Sequence, residues 1–270
     1  MAQVLSPSES FPTRRQHLVK TFEGYRSEFD SFNERRERLI ILSRSITQLS
    51  KKLIFHLHRG ATSASPIARE KLLKEAWVKE KEIVKSFGAV WTDLKGLGGE
   101  KESFWRFNRQ VSPGLEEYIE GLSFLWYLEK RTLITLDEIQ HILTDEKSGE
   151  PLVVVTPEDY ILGMSDLTGE LMRYATNALS SGDHETPLTV CDFVRTVKSY
   201  FDSIPPHMLR KLQSKQEETT RSLEKIEKVC YSLRLRLIEF ADRPEVLAMM
   251  AKRALDDDSG VKGDDRGTDD

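Results

Sequence analysis

Two cysteines in 270 residues, Cys191 and Cys230, far apart and outside any CxxC spacing, exclude a disulfide framework and a zinc ribbon. They point to a reducing compartment. No stretch approaches the roughly 18 consecutive apolar residues that a membrane-spanning helix needs, and no charged stretch followed by an apolar run opens the chain. The expected setting is intracellular, with no membrane partner, cytoplasmic and with the nucleus as a second site. Strand signals are almost missing too, because Leu152 to Val155 is the one β-flavoured piece and is too short to argue for a sheet. No nucleophile elbow occurs. Gly96-Leu-Gly-Gly99 has no following Lys-Ser/Thr and no preceding strand, so it is not a phosphate-cradling loop. The net charge of −4 excludes little, since without the acidic tail the body is close to neutral.

What is there is helical periodicity. Apolar residues fall at three- and four-residue steps from Leu18 to Leu57, and neither proline nor glycine interrupts Tyr25 to Arg59. This spacing predicts one helix of about 35 to 40 residues, about 55 Å long. Pro66 opens a second helix running towards Leu94, and Ser112-Pro113 either starts a third or kinks one begun near Lys101. Thr135-Leu-Asp-Glu138 is a capping box for a short helix. Thr156-Pro-Glu-Asp159 is the clearest helix start, and Thr186-Pro187 opens another helix that Pro205-Pro206 ends. Met208 to Phe240 reads as a last long helix, and Pro244 introduces a short terminal one. The fold class is all-α, a bundle of six or seven helices, two of them long. Residues 1–16 read as a flexible lead-in, 17–254 as one helical domain and 255–270 as an acidic disordered tail.

Two of these helices carry acids on strongly apolar faces. Tyr160-Ile-Leu-Gly-Met-Ser-Asp-Leu-Thr-Gly-Glu-Leu-Met-Arg-Tyr174 sets Asp166 and Glu170 one turn apart, and Gly114-Leu-Glu-Glu-Tyr-Ile-Glu120 sets Glu117 and Glu120 at i, i+3. Most such pairs on helices face water or meet Lys and Arg. Here the apolar neighbours make solvation a poor explanation, and Gly114, Gly121, Gly163 and Gly169 in helix interiors suggest close helix approach or space for a ligand. Packed face to face, the two helices would bring four carboxylates together. Four hard oxygen donors favour Mg²⁺ or Mn²⁺ over zinc or copper, and a metal-activated water is a suitable nucleophile for a phosphodiester. Glu170 is the expected proton acceptor. The six histidines offer no competing site: His56 and His58 diverge on a helix and read as a core or groove residue and a surface one.

After Arg44 the first helix has no acid until Glu70, which leaves Lys51, Lys52 and Arg59 unpaired in sequence and suited to phosphates. Phe55, Trp105, Phe107 and Trp126 could stack on bases, although core packing is the commoner use of each.

Ser43-Arg-Ser-Ile-Thr47, Ser50-Lys-Lys-Leu-Ile-Phe55, Leu57-His-Arg59, the Glu117/Glu120 stretch, Asp159-Tyr-Ile-Leu-Gly163, Asp166-Leu-Thr-Gly-Glu-Leu-Met-Arg173 and Lys225-Ile-Glu-Lys-Val-Cys-Tyr-Ser-Leu233 together resemble the translin superfamily, in particular its translin-associated factor X branch, over roughly residues 18 to 240. The Asp-Leu-Thr-Gly-Glu motif is the specific part. The resemblance implies a catalytic subunit that joins a translin-like subunit in a closed hetero-oligomer, an octamer-type shell. It further implies a Mg²⁺-dependent endoribonuclease on single-stranded or nicked RNA, including small-RNA passenger strands and tRNA-processing fragments, with single-stranded DNA as a further ligand. It places the metal on Glu117, Glu120, Asp166 and Glu170, and RNA contacts on Lys51, Lys52, Arg59 and Arg173. The sequence departs from the family in having Glu116 beside Glu117, a short loop between the acidic helices and no basic N-terminal region. The alternative reading is a non-catalytic nucleic-acid-binding or scaffold subunit, its acids engaged by residues such as Arg173.

Overall fold

The computed structural model describes residues 11–63, 65–95 and 100–239. Gly96, Gly98 and Gly99, the terminal helix expected after Pro244 and the acidic tail lie outside them. The described residues form seven α-helices: α1 Phe11–Gly60, α2 Pro66–Lys95, α3 Glu100–Lys130, α4 Leu136–Ile142, α5 Pro157–Ser180, α6 Glu185–Phe201 and α7 Leu212–Glu239. The described residues contain no strand, only an isolated bridge between Thr144 and Pro151. None of their helices is long and apolar enough to cross a membrane.

Helix α1 is 50 residues long, on the order of 75 Å, and starts at Phe11 rather than near Leu18. Pro12 falls in its first turn, where the missing N–H costs no intrahelical bond. Buried Leu39, Ser43, Ile46, Ser50, Leu53 and Leu57 alternate steps of four and three along one seam, which Ile54 and His58 widen at its C-terminal end. Two of those seam positions are serines, and small side chains there let α3 approach closely. Upstream, Leu18, Val19, Phe22, Tyr25 and Phe29 are each at least half exposed, an apolar stripe on an arm that the bundle does not cover.

The third helix runs from Glu100 through Pro113, so Ser112-Pro113 is not a fresh start, and the proline removes one N–H from the helical ladder there. The Ser43 hydroxyl sits against this break, accepting from the Gly114 N–H at 3.0 Å and donating to the Val111 carbonyl at 3.4 Å. Helix α3 packs on α1, α2 and α5, and α5 packs in turn on α6 and α7. The centre of the bundle is therefore the α3–α5 crossing. Thr156 caps α5 by accepting from the Asp159 N–H, and Thr135 and Glu138 close the capping box of α4. Leu152–Val155 is irregular, pinned by the Gln140 amide to the Val153 carbonyl and the Val155 N–H. The last long helix begins at Leu212, after a 3₁₀ turn at Pro206–Met208.

Candidate metal centre

Glycine sets the spacing of the acid-bearing helices. A Cβ on Gly163 of α5 would stand 2.8 Å from the Glu116 carbonyl and from the Ile119 side chain of α3, and a Cβ on Gly114 would stand 2.8 Å from the Ser43 carbonyl. Backbone thus meets backbone on both sides of α3. Gly121 is looser, 3.4 Å from Ile54, and Gly169 meets nothing within 4 Å. Two of the four glycines mark close approach, Gly121 would make ordinary contact and Gly169 opens onto space.

This crossing gathers Glu117 and Glu120 of α3 with Asp166 and Glu170 of α5. Burial and the negative charges of Asp166, Glu117 and Glu170 push the Glu120 carboxyl up to about 8. Burial likewise raises Glu117, with Lys51 working against it and Asp166 and Glu170 adding to it. Glu116 is raised by burial too, but it turns to Lys211, the residue just before α7, at 3.9 Å, so Glu117 is the member of the adjacent pair that shares the field of both Asp166 and Glu170.

Three of the four side chains as they stand have basic partners of their own. Glu117 meets Lys51 at 3.6 Å, Asp166 meets Lys215 at 2.5 Å, and Glu170 meets His58, with Arg173 at 4.0 Å. Burial would lower the Lys215 ammonium, but the hydrogen bond and charge of Asp166 outweigh it and hold the group above its ordinary value. Among the described residues, no three acid, histidine or cysteine side chains are oriented to grasp one ion, and no ion pair engages Glu120. The donor set still suits a hard dication. Four carboxylates crowd one crossing, and one of them is driven towards its protonated form first by burial and then by the charge of the others, a repulsion that a bound cation would relieve.

His58 and Lys215 are the residues that periodicity alone did not place at the site. The His58 ring is 4% exposed, lies on Phe124 with centroids 4.7 Å apart, and reaches Glu170 through Nε2. A carboxylate only accepts, so Nε2 carries the proton. The Nδ1 atom is buried without a partner. Lys51 and His58 are seven apart and share one face of α1, a signal that was available. No signal indicated which face of α7 would meet α5, so Lys215 could not be found. Lys52 and Arg59 are exposed and join no ion pair among the described residues, while Arg173 is exposed beside Glu170. Phe107 is buried against Phe32, and Trp126 is half-buried under Lys130. Phe55 and Trp105 are instead 58% and 61% exposed.

Comparison with known proteins accords with this architecture. The chain is 36% identical over 237 residues to the translin-associated protein X of Pongo abelii, covering 81% of this chain and 79% of the relative. It is 30% identical over 154 residues to translin of Gallus gallus, covering 56% and 66%. Among solved structures, the AfC3PO–duplex RNA complex superposes with a TM-score of 0.59 at 16% identity, over 81% of this chain and 98% of that one. The Translin family pattern itself matches residues 34–237, and the chain belongs to the Translin family.

Proposed function

We propose that this chain is the catalytic subunit of a Mg²⁺-dependent endoribonuclease that acts on single-stranded or nicked RNA within a closed hetero-oligomer with a translin-type subunit. The observation that carries this reading is Glu120, a carboxyl group without an ion pair, set among three others at a helix crossing where backbone meets backbone. Glu117, Glu120, Asp166 and Glu170 would hold Mg²⁺ or Mn²⁺. When bound, that cation supplies a Lewis acid that offsets charge growing on the phosphate and acidifies water. Lys51 and Lys215 flank the acids and draw an anionic strand towards a cluster that would otherwise repel it. The His58 N–H occupies Glu170 Oε2, which leaves Oε1 to accept a proton from water attacking the phosphate. The similar structure that contains duplex RNA supports RNA as the ligand. The uncovered stripe from Leu18 to Phe29 supports a partner subunit, because an apolar face of that length on one arm is unusual in a monomer.

A second reading is favoured by the ion pairs themselves, which are what a non-catalytic RNA-binding subunit would use to settle its acids. Both Lys51 and Arg173 are more than half exposed, so their pairs contribute little and yield readily to a dication. The deciding experiment uses the assembly purified after co-expression with a translin-type partner. Single-stranded RNA is expected to be cleaved in Mg²⁺ and left intact in EDTA, with ion binding seen by titration calorimetry. No cleavage and no bound ion would establish the scaffold reading instead.

His58 provides a finer check. His58→Phe keeps a ring on Phe124 but removes the donor to Glu170, and is expected to weaken Mn²⁺ binding and slow cleavage by about 10- to 100-fold. His58→Gln restores a donor and should recover most of both. Equal losses in the two variants, tracking their melting temperatures, would make His58 a packing residue only.

A further inference from the structure

Asp166 faces two ways. On one side it belongs to the acid cluster, and on the other it lines an open groove of about 490 Å³ between α5 and α7. The α5 wall is low, because Gly169 has nothing within 4 Å of where its Cβ would be, and Met172 continues it one turn on. The α7 wall carries Arg221, Lys225 and Lys228, spaced four and three residues apart and so aligned on one face of the helix. All three are exposed, and none of them joins an ion pair or a side-chain hydrogen bond among the described residues. The acids of the same groove are differently placed. Lys215 holds both Asp166 and Glu218, which leaves Glu224 as the one unpaired acid against three unpaired cations.

We propose that this groove is the track along which a single-stranded RNA backbone leaves the acid cluster, with its phosphates on Arg221, Lys225 and Lys228. The inference rests on the RNA reading above but not on cleavage. From Arg221 to Lys228 the helix advances about 10 Å, long enough to lie along a few successive phosphates of one strand. The cations supply charge without base recognition, as a strand-tracking groove needs, and the missing side chain of Gly169 gives the backbone room beside Asp166. An end of the groove at Asp166 would deliver a phosphodiester to the acids.

The test measures binding of a fluorescent single-stranded RNA of about a dozen nucleotides to the partner-assembled protein in EDTA, over a series of KCl concentrations. The Arg221→Ala/Lys225→Ala/Lys228→Ala variant is expected to bind roughly ten- to a hundredfold more weakly at moderate salt. The slope of log affinity on log salt should become shallower by about two, the loss of three phosphate contacts at ~0.7 each. Lys225→Glu, a single surface change, should weaken binding at least fivefold, and the Lys81→Ala/Lys85→Ala variant on α2 should leave the slope unchanged. A shallower slope in the triple variant supports the track whether or not the parent assembly cleaves RNA. An unchanged slope in both groove variants overturns it, even where cleavage by the parent is established, and would give the groove to an acidic protein segment instead.

Discussion

Glu120→Gln in the assembled protein is expected to reduce RNA cleavage on the order of a thousandfold while leaving RNA binding and assembly intact. The same change should make the metal-free protein more stable above neutral pH. Both effects come from one placement. Glu120 is desolvated at the α3–α5 crossing and faces Asp166, Glu117 and Glu170, which hold its carboxyl protonated up to about 8 against an ordinary value of 4.5. Between those two values the native state binds a proton that the unfolded chain has released. Its contribution to stability is therefore whole below about 4.5 and is lost as pH rises through about 8, with a slope of at most about 1.4 kcal/mol per pH unit. Glutamine never ionises and escapes that loss. Thermal melts in EDTA at several pH values should accordingly fall less steeply for the variant. Added Mg²⁺ should flatten the parent's curve and not the variant's, because the cation binds the charged carboxylate and releases its proton. A variant that cleaves normally in Mg²⁺ would remove Glu120 from the site. A parent curve that is flat in EDTA would show that the four acids do not share one field.

The acids themselves were legible because helical geometry is local. The four-residue step from Asp166 to Glu170 fixes one face, and Thr156-Pro157 fixes where that helix starts. Their surroundings depended on rotations that periodicity does not give. Lys51 reads from sequence as an unpaired cation on α1, yet the seam from Leu39 to Leu57 turns it towards Glu117. Lys215 lies on a helix whose apolar seam says only that α7 packs, and its meeting with Asp166 depends on where α5 and α7 cross. The arm of α1 extends beyond the periodic core because helix continues wherever nothing breaks it, whether or not a face is buried. Sequence reads one of His56 and His58 as a core or groove residue without saying which, and His58 is the buried one. What sequence could not show is that its one bonded nitrogen points at an acid of the site.

Gly163→Val and Gly169→Ala, six residues apart on α5, should move stability in opposite directions, and the first should also cost cleavage. At Gly163 any Cβ lies 2.8 Å from the Glu116 carbonyl oxygen and from Ile119, and neither neighbour is the end of a flexible chain. The two helices must separate, at a cost of about 3 kcal/mol or more, since overpacking in a dense core and β-branching within a helix act together. Separation would also pull Asp166 and Glu170 away from Glu117 and Glu120, so Mg²⁺-dependent cleavage should fall at temperatures where the variant is still folded. At Gly169 a methyl meets nothing within 4 Å, and alanine instead removes the helix penalty of glycine, a gain of up to about 1 kcal/mol. Urea unfolding of the assembled variants measures both effects. If Gly163→Val were as stable and active as the parent, α3 and α5 would not need backbone contact, and the account of how four carboxylates come to one crossing would fail with it.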